Sequence, residues 1–243
     1  MGDRETLRAR LYESYATTHL GAPDSRGAEP AFRAHILPHM PAERDADIAD
    51  VGCGAGTLVK FLGERGYRNV RGVDASPEQV QVAQRAGVDG VEQGDLREYL
   101  AARANQLDVV IAMDVLEHFS QEEVLDVLDH IRGALRPGGR LILRTPNAGS
   151  LFAGRVRYWD FTHQLAFTAQ SISQVLATTG FESISVHPTT PPPHGLKSAV
   201  RWSIWRAMAG VCWLYLVAET GVPRGHVLTQ NLVAVADRPY GGQ

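Results

Sequence analysis

Three glycines and three carboxylates, set at the turns of an alternating pattern, carry the first chemical signal in this chain. Asp50-Val51-Gly52-Cys53-Gly54-Ala55-Gly56 lies between a short apolar run and a helical pattern. Glycines in a strand-to-helix turn let the backbone bend sharply and approach a ligand, and the first N–H groups of the helix are left unpaired for it. Asp74, followed by Ala75, closes the next β pattern twenty-two residues after Gly52. There a carboxylate can accept hydrogen bonds from two ribose hydroxyls. Asp95, in Gly94-Asp95-Leu96, closes a third, where an acidic group can meet an adenine amino group. Carboxylates converging from neighbouring strand tips suit a cationic nucleoside. They suit a dinucleotide poorly: the nicotinamide fingerprint is G-x-G-x-x-G over a pyrophosphate, whereas here the third glycine comes one residue early and Thr57 takes its place.

These residues must be held by elements, and the sequence lays them out in order. DIADVG, NVRGVD, GVEQGD, LDVVIAMD and RLILRT read as strands, separated by helical GTLVKFLGERG, SPEQVQVAQRAG and SQEEVLDVLDHIRGAL. Ser76 with Pro77 marks one helix start, and Ser120 with Glu123 forms a capping-box pattern at another. LDVVIAMD is continuously apolar, as a strand buried on both faces must be. Strands alternating with helices of this length imply right-handed crossovers and a parallel sheet. After Thr145 the regularity lapses until AQSISQVLATTG (helix) and FESISVHP (strand); VLTQNLVAVA reads as a last strand. The expected fold is α/β: a Rossmann-like, doubly wound, seven-stranded sheet, mainly parallel with its last strand antiparallel. N-terminal helices precede it, and a helical insertion comes before the last strand. The chain reads as a single domain: a helical cap over 1–44, a cofactor half over 45–145, and an acceptor half over 146–243 carrying the insertion 188–227.

Composition narrows the class. The 243 residues are 44% hydrophobic and 21% charged, which fits a globular protein and excludes disorder. A net charge of −3 gives no basic footprint, so no nucleic acid is expected as partner. Two cysteines, Cys53 and Cys212, make no disulfide framework and fit a reducing compartment, so the expected location is cytoplasmic.

Asp50 to Gly56, GVDAS (72–76), GDL (94–96), AMDVLEHF (112–119) and LRPGGRLIL (135–143), in that order, resemble the motifs of class I S-adenosylmethionine-dependent methyltransferases. The likeness is strongest over residues 45–187 and to the branch of quinone, natural-product and glycan O-methyltransferases. It implies S-adenosylmethionine as cofactor and S-adenosylhomocysteine as product. Gly52, Gly54 and Gly56 would cradle the methionyl part, Asp74 and Ala75 the ribose, and Asp95 and Leu96 the adenine. Met113 would cover the cofactor from the fourth strand, and Asp50 would add charge. YESYATTHLG resembles the segment that closes over the cofactor, bringing Tyr12, Tyr15 and His19 inward.

A sulfonium is already an activated methyl donor, so the protein must align a nucleophile, exclude water and remove a proton. Two histidines could serve as base: His118 in VLEHF, which could instead organise its loop, and His163 in Arg157-Tyr158-Trp159-Asp160-Phe161-Thr162-His163. His163 is the stronger candidate, with Asp160 as its orienter. Asn147, Arg157, Tyr158 and Trp159 are the expected acceptor contacts. No metal-ligand spacing stands out, and none is expected. Tyr158 and Trp159 could stack on a sugar face while Arg157 bonds hydroxyls, so a sugar or glycan hydroxyl is the first expectation for the acceptor. A phenol, quinone or polyketide is the alternative; a nicotinamide oxidoreductase or a non-catalytic binder stands further off. The apolar, tryptophan-rich stretch within 198–219 reads as a core helix covering the sheet edge, a homodimer contact or lid, or an interfacial helix that would make the protein peripheral to a membrane.

Overall fold

Strand β1 (Asp47–Val51) is buried at every position after its first, which places the glycine turn that follows it at the centre of the molecule. The computed structural model describes residues 10–12, 17, 25–193 and 195–241. After helix α1 (Ser25–His35) come β1, α2 (Thr57–Gly63), β2 (Asn69–Asp74), α3 (Pro77–Arg85) and β3 (Val91–Gln93). Then follow α4 (Leu96–Ala101), β4 (Leu107–Met113), α5 (Gln121–Ala134), β5 (Leu135–Pro146), α6 (Ala153–Arg157) and α7 (Ala169–Thr178). The described chain ends with β6 (Glu182–Pro188), α8 (Leu196–Thr220) and β7 (Asn231–Asp237). The strands form one seven-stranded sheet in the order β3-β2-β1-β4-β5-β7-β6. All pairs among β1 to β5 are parallel, and β7 runs antiparallel to both β5 and β6.

Period-two alternation sends successive strand residues to opposite faces, and two cores result. Val51, Val110, Ala112, Leu141 and Leu143 pack on one face with α4, α5 and α7. Ile48, Val109, Ile111 and Ile142 pack on the other with α1, α2 and α3. Helix α5 shows how the sequence enforces this. Ser120 Oγ accepts from the Glu123 N–H while the Glu123 carboxylate accepts from the Ser120 N–H, closing the helix start. Val124, Val127, Leu128 and Ile131 then bury one stripe, each stabilising by about 1.5–3 kcal/mol. Two elements escape the sequence pattern. The six-residue α4 follows Asp95 directly, and β5 runs back through Arg136-Pro137-Gly138-Gly139, which the turn residues mark as a break.

The register fixes the functional edge. Val51 pairs with Val73 and Ala112, and Asp74 with Gln93, so these strands end together. Between β1 and β4 the strand order reverses, and open α/β sheets hold their ligands in the crevice at such a switch point.

Candidate active site

At that crevice lies a cleft of about 990 Å³ bordered by Gly52, Gly54, Asp74, Ala75, Asp95, Leu96 and Met113. The backbone dictates the glycines. Gly52, Gly54 and Gly56 all have left-handed φ, at 70°, 53° and 69°. A Cβ on Gly52 would stand 2.6 Å from Val115 Cγ2, so the turn packs too closely for any side chain. Gly54 is different: a Cβ there meets only Gln79 at 3.8 Å, and what it would fill is the cleft. Gly56 departs from its expected role. It does not border the cleft; its Cβ would strike Val91 at 2.8 Å and Val88 at 2.9 Å, so it is a packing glycine at the start of α2. Gly56→Ala is therefore expected to cost about 2 kcal/mol or more, from left-handed strain and overpacking together. A thermal scan should show Tm lower by several degrees with affinity for S-adenosylhomocysteine changed less than threefold in the folded protein; unchanged Tm would refute the assignment.

The three carboxylates sit at unequal depth. Asp74 borders the cleft, with Oδ2 accepting the Gly54 N–H at 2.7 Å and Oδ1 the Ser76 N–H at 2.8 Å. It thus clamps the glycine turn as well as facing the ligand space. Asp95 borders the cleft too, while its Oδ1 caps α4 by accepting from Arg97 at 2.7 Å and Glu98 at 3.3 Å. Asp50 does not border the cleft and lies fully buried beneath the turn, which corrects the picture of three equivalent strand-tip groups. Its Oδ1 has no hydrogen-bond partner among the described residues. Burial first, then the Asp74 charge, pushes its pKa up to about 8. A buried carboxylate with a bare oxygen is a site short of a positive charge. A close-approach glycine turn above it, open at Gly54, leaves room for one. These features fit an ammonium- and sulfonium-bearing nucleoside.

The family model for a methyltransferase domain matches residues 27–186. The chain belongs to the class I S-adenosylmethionine-dependent methyltransferases. It is 41% identical over 107 residues to a ubiquinone biosynthesis O-methyltransferase of Methylocella silvestris, covering 41% of this chain and 40% of that protein. It is 31% identical over 183 residues to a tRNA U34 carboxymethyltransferase of Cellvibrio japonicus, covering 63% and 54%. This methyltransferase chain therefore spans about half the length of the curated relatives it matches. A methyltransferase of Archaeoglobus fulgidus shares its fold, with a TM-score of 0.67 and 18% identity over 94% of this chain and 98% of that one.

On the acceptor side of the methyltransferase cleft stand His118 and His163, edge to face with ring centroids 4.8 Å apart. His163 Nδ1 lies 3.1 Å from the Val156 carbonyl and so carries the proton it donates there. Its Nε2 has no hydrogen-bond partner among the described residues and keeps its lone pair. The expected Asp160–His163 orientation is replaced by a longer chain of contacts. Asp160 Oδ1 accepts the Thr162 hydroxyl at 2.6 Å and the Thr162 N–H at 2.8 Å. With its proton committed, Thr162 Oγ1 accepts from His118 Nδ1 at 2.7 Å. The Asp160 carboxylate acts through Thr162 on His118; on the His163 ring it acts by its charge, while its carbonyl accepts from the His163 backbone N–H at 3.2 Å. Gln164 Nε2 donates to the His118 carbonyl at 2.9 Å, and the Glu117 carbonyl accepts from the Gln164 N–H at 2.7 Å, which locks the two histidine segments together.

Three expected acceptor contacts are spent elsewhere. Asn147 is buried; its Nδ2 donates to the Val227 and Thr229 carbonyls and its Oδ1 accepts from the Gly149 N–H. The Arg157 guanidinium donates to the carbonyls of His163 and Gln164, clasping its own loop. Tyr158 is 79% exposed and does not border the cleft, while Trp159 does. Tyr12 borders the cleft, its ring 6.3 Å from that of His118. Tyr15 and His19 lie outside the described residues.

Sequence reasoning missed Glu117. It is fully buried, Oε2 accepts from the Thr145 hydroxyl at 3.1 Å, and Oε1 has no partner among the described residues. Burial and the Asp114 charge raise its pKa well above the usual carboxylate range. An acidic residue inside apolar Val115-Leu116-Glu117-His118-Phe119 was the available signal. Sequence spacing did not reveal one cluster. Glu117, His118 and His163 bring three donor atoms within 4.8 Å of one another, a set able to hold a divalent cation.

The buried histidines make an acid-labile contribution to stability. Burial, then the neighbouring His163, pushes the His118 pKa down to about 4. The unfolded imidazole titrates near 6.5, so the unfolded chain binds the proton more readily between these values. The stability from burying neutral His118 is complete above about pH 6.5 and is lost as pH falls toward 4, reaching about 2 kcal/mol by pH 5. His163, shifted in the same direction by burial, adds to the loss. Buried Asp50 and Glu117, whose pKa values are raised, gain stability over the same range, so the His118 contribution is read as a difference. From pH 7.5 to 5.0, urea unfolding of wild type should change by about 2 kcal/mol less favourably than that of His118→Gln, and an equal change in both would refute the cause.

Proposed function

We propose that the protein binds S-adenosylmethionine in this cleft and O-methylates the hydroxyl of a phenol- or quinol-type small molecule. The observation that carries the choice of acceptor is the state of His163. Burial lowers its pKa, so it is a weak base, and with Nδ1 bonded to Val156 its Nε2 carries the free lone pair on a ring that borders the cleft. A phenol, with a pKa of about 10, is within reach of such a base in the transition state; an alcohol of a sugar, several units higher, is much less so. The flat surfaces beside it, Trp159 and Phe119, suit an aromatic ring. Likeness over about 107 residues to ubiquinone biosynthesis O-methyltransferases supports the same reading. The sugar reading rested on Tyr158, Trp159, Arg157 and Asp160; of these Arg157 is spent on the His163 and Gln164 carbonyls and Tyr158 does not border the cleft.

When bound, the cofactor supplies a methyl group activated by its sulfonium. The chain's own residues do the rest. Asp74 and the glycine turn fix the donor's position. Trp159, Phe119 and Tyr12 exclude water from the acceptor space. His163 Nε2 takes the hydroxyl proton as the oxygen attacks, with Nδ1–H held by Val156. His118, steadied by Thr162 and Asp160, holds the His163 ring edge-on. Glu117, its pKa raised by burial, can in its protonated form donate a hydrogen bond to a second acceptor oxygen.

The test is a turnover panel of catechols, hydroquinones and monosaccharides, read as S-adenosylhomocysteine formed. Turnover should be confined to the aromatic acceptors, and methylation of sugars alone would overturn the reading.

A further inference from the structure

Helix α8 is apolar on two faces, and only one of them meets the chain. Trp202, Trp205, Ala209, Cys212 and Leu216 recur at three- and four-residue steps and are half-buried. On the opposite side Val200, Ile204, Met208, Val211, Leu214 and Tyr215 form a second stripe, each 53–66% exposed. Ser198 is the helix's one fully buried residue, which corrects the reading of this stretch as a core helix. A helical stripe of this length runs about 22 Å with no charged side chain among its members.

The charges around the stripe identify what covers it. The chain as a whole carries −3, yet Lys197, Arg201 and Arg206 stand in the first half of α8 with no acidic residue before Glu219. Cations whose long stems reach past an exposed apolar stripe are the pattern of a helix lying in the headgroup zone of an anionic bilayer. No helix among the described residues is long and apolar enough to cross a membrane, so α8 would lie along the surface. A second copy is a poorer occupant. Six side chains from one helix fall well short of the roughly 20–30 residues per side of a stable interface.

We propose that the outward stripe of α8 docks the protein on an anionic lipid surface. The inference is independent of the acceptor assigned above, because α8 contributes nothing to the cleft described there.

The experiment is sedimentation of the full chain with vesicles of phosphatidylcholine alone or with 30 mol% phosphatidylglycerol (about one anionic lipid in three, in the range where each basic side chain adds about 1 kcal/mol). Wild type should partition at least tenfold more strongly onto the anionic vesicles. Ile204→Glu with Val211→Glu should abolish binding while Tm and S-adenosylhomocysteine affinity stay unchanged. Lys197→Gln with Arg201→Gln should erase the preference for anionic lipid. Three outcomes overturn the proposal: wild type stays in the supernatant, the glutamate pair binds as wild type does, or the glutamate pair instead converts a dimer to a monomer in sedimentation velocity. The last would assign the face to a second copy. Retained S-adenosylhomocysteine binding in every arm separates failure here from failure of the methyltransferase reading.

Discussion

His163→Gln should lower kcat by at least about a hundredfold while leaving the affinity for S-adenosylhomocysteine within about threefold of wild type. The reason is positional. Nδ1 is committed to the Val156 carbonyl, so Nε2 is the atom left to receive a proton, and a glutamine amide cannot do so. Thr162→Val probes the support behind it. The hydroxyl that links Asp160 to His118 is removed at constant shape, and a smaller loss of kcat with little change in KM is the expected result. The pH profile separates the two roles. The acid limb of kcat/KM lies below pH 6.5 in wild type, because burial holds the His163 pKa down. In Thr162→Val that limb should move, whereas in His163→Gln it should vanish. A loss below tenfold in His163→Gln would remove this histidine from the role of base.

Above pH 8, Asp50→Asn should weaken S-adenosylhomocysteine binding by roughly a hundredfold and leave the protein itself as stable as before, or more so. With its pKa near 8 in the empty protein, Asp50 is mostly protonated at pH 7, and asparagine nearly matches that form. A cation seated above the turn reverses the balance. At about 5 Å and an effective dielectric near 20, a buried charge pair is worth about 3 kcal/mol, or some two powers of ten in affinity. The linkage gives a second readout. Binding a cation must release the Asp50 proton, so wild-type affinity should rise as pH climbs from 6.5 toward 8 and level off above it. Calorimetry in buffers of different ionisation enthalpy would count the proton. An unaltered affinity in Asp50→Asn would show that this carboxylate serves the fold alone.

Much of the cofactor side was legible in the sequence because its residues are fixed by backbone geometry. A left-handed turn packed on Val115 admits only glycine at Gly52, and the carboxylates follow strand ends that hydrophobic alternation locates. The acceptor side was less legible because there the chain leaves regular structure. Types that look ready for a ligand can equally hold a loop in shape. Arg157 and Asn147 do that, each meeting carbonyls that no periodicity announces. Thr162 could be read only as a neighbour of His163 in sequence, while its partner His118 lies forty-four residues away. Depth was equally hidden. Asp50 and Asp74 look alike on paper, yet one is sealed under the turn and the other faces the cleft.

The antiparallel strand β7 sits between β5 and β6 and pairs with both along their length. As the polypeptide leaves the ribosome, β1 to β5 can assemble early, but the far edge of β5 stays uncovered until the chain has been made through Asp237. During that interval Leu141, Ile142 and Leu143 present a greasy, unpaired ribbon to other nascent molecules, a recognised route to clumping. The final strand works as a wedge driven in last, and cutting the chain before Asn231 should leave insoluble product rather than a smaller working protein.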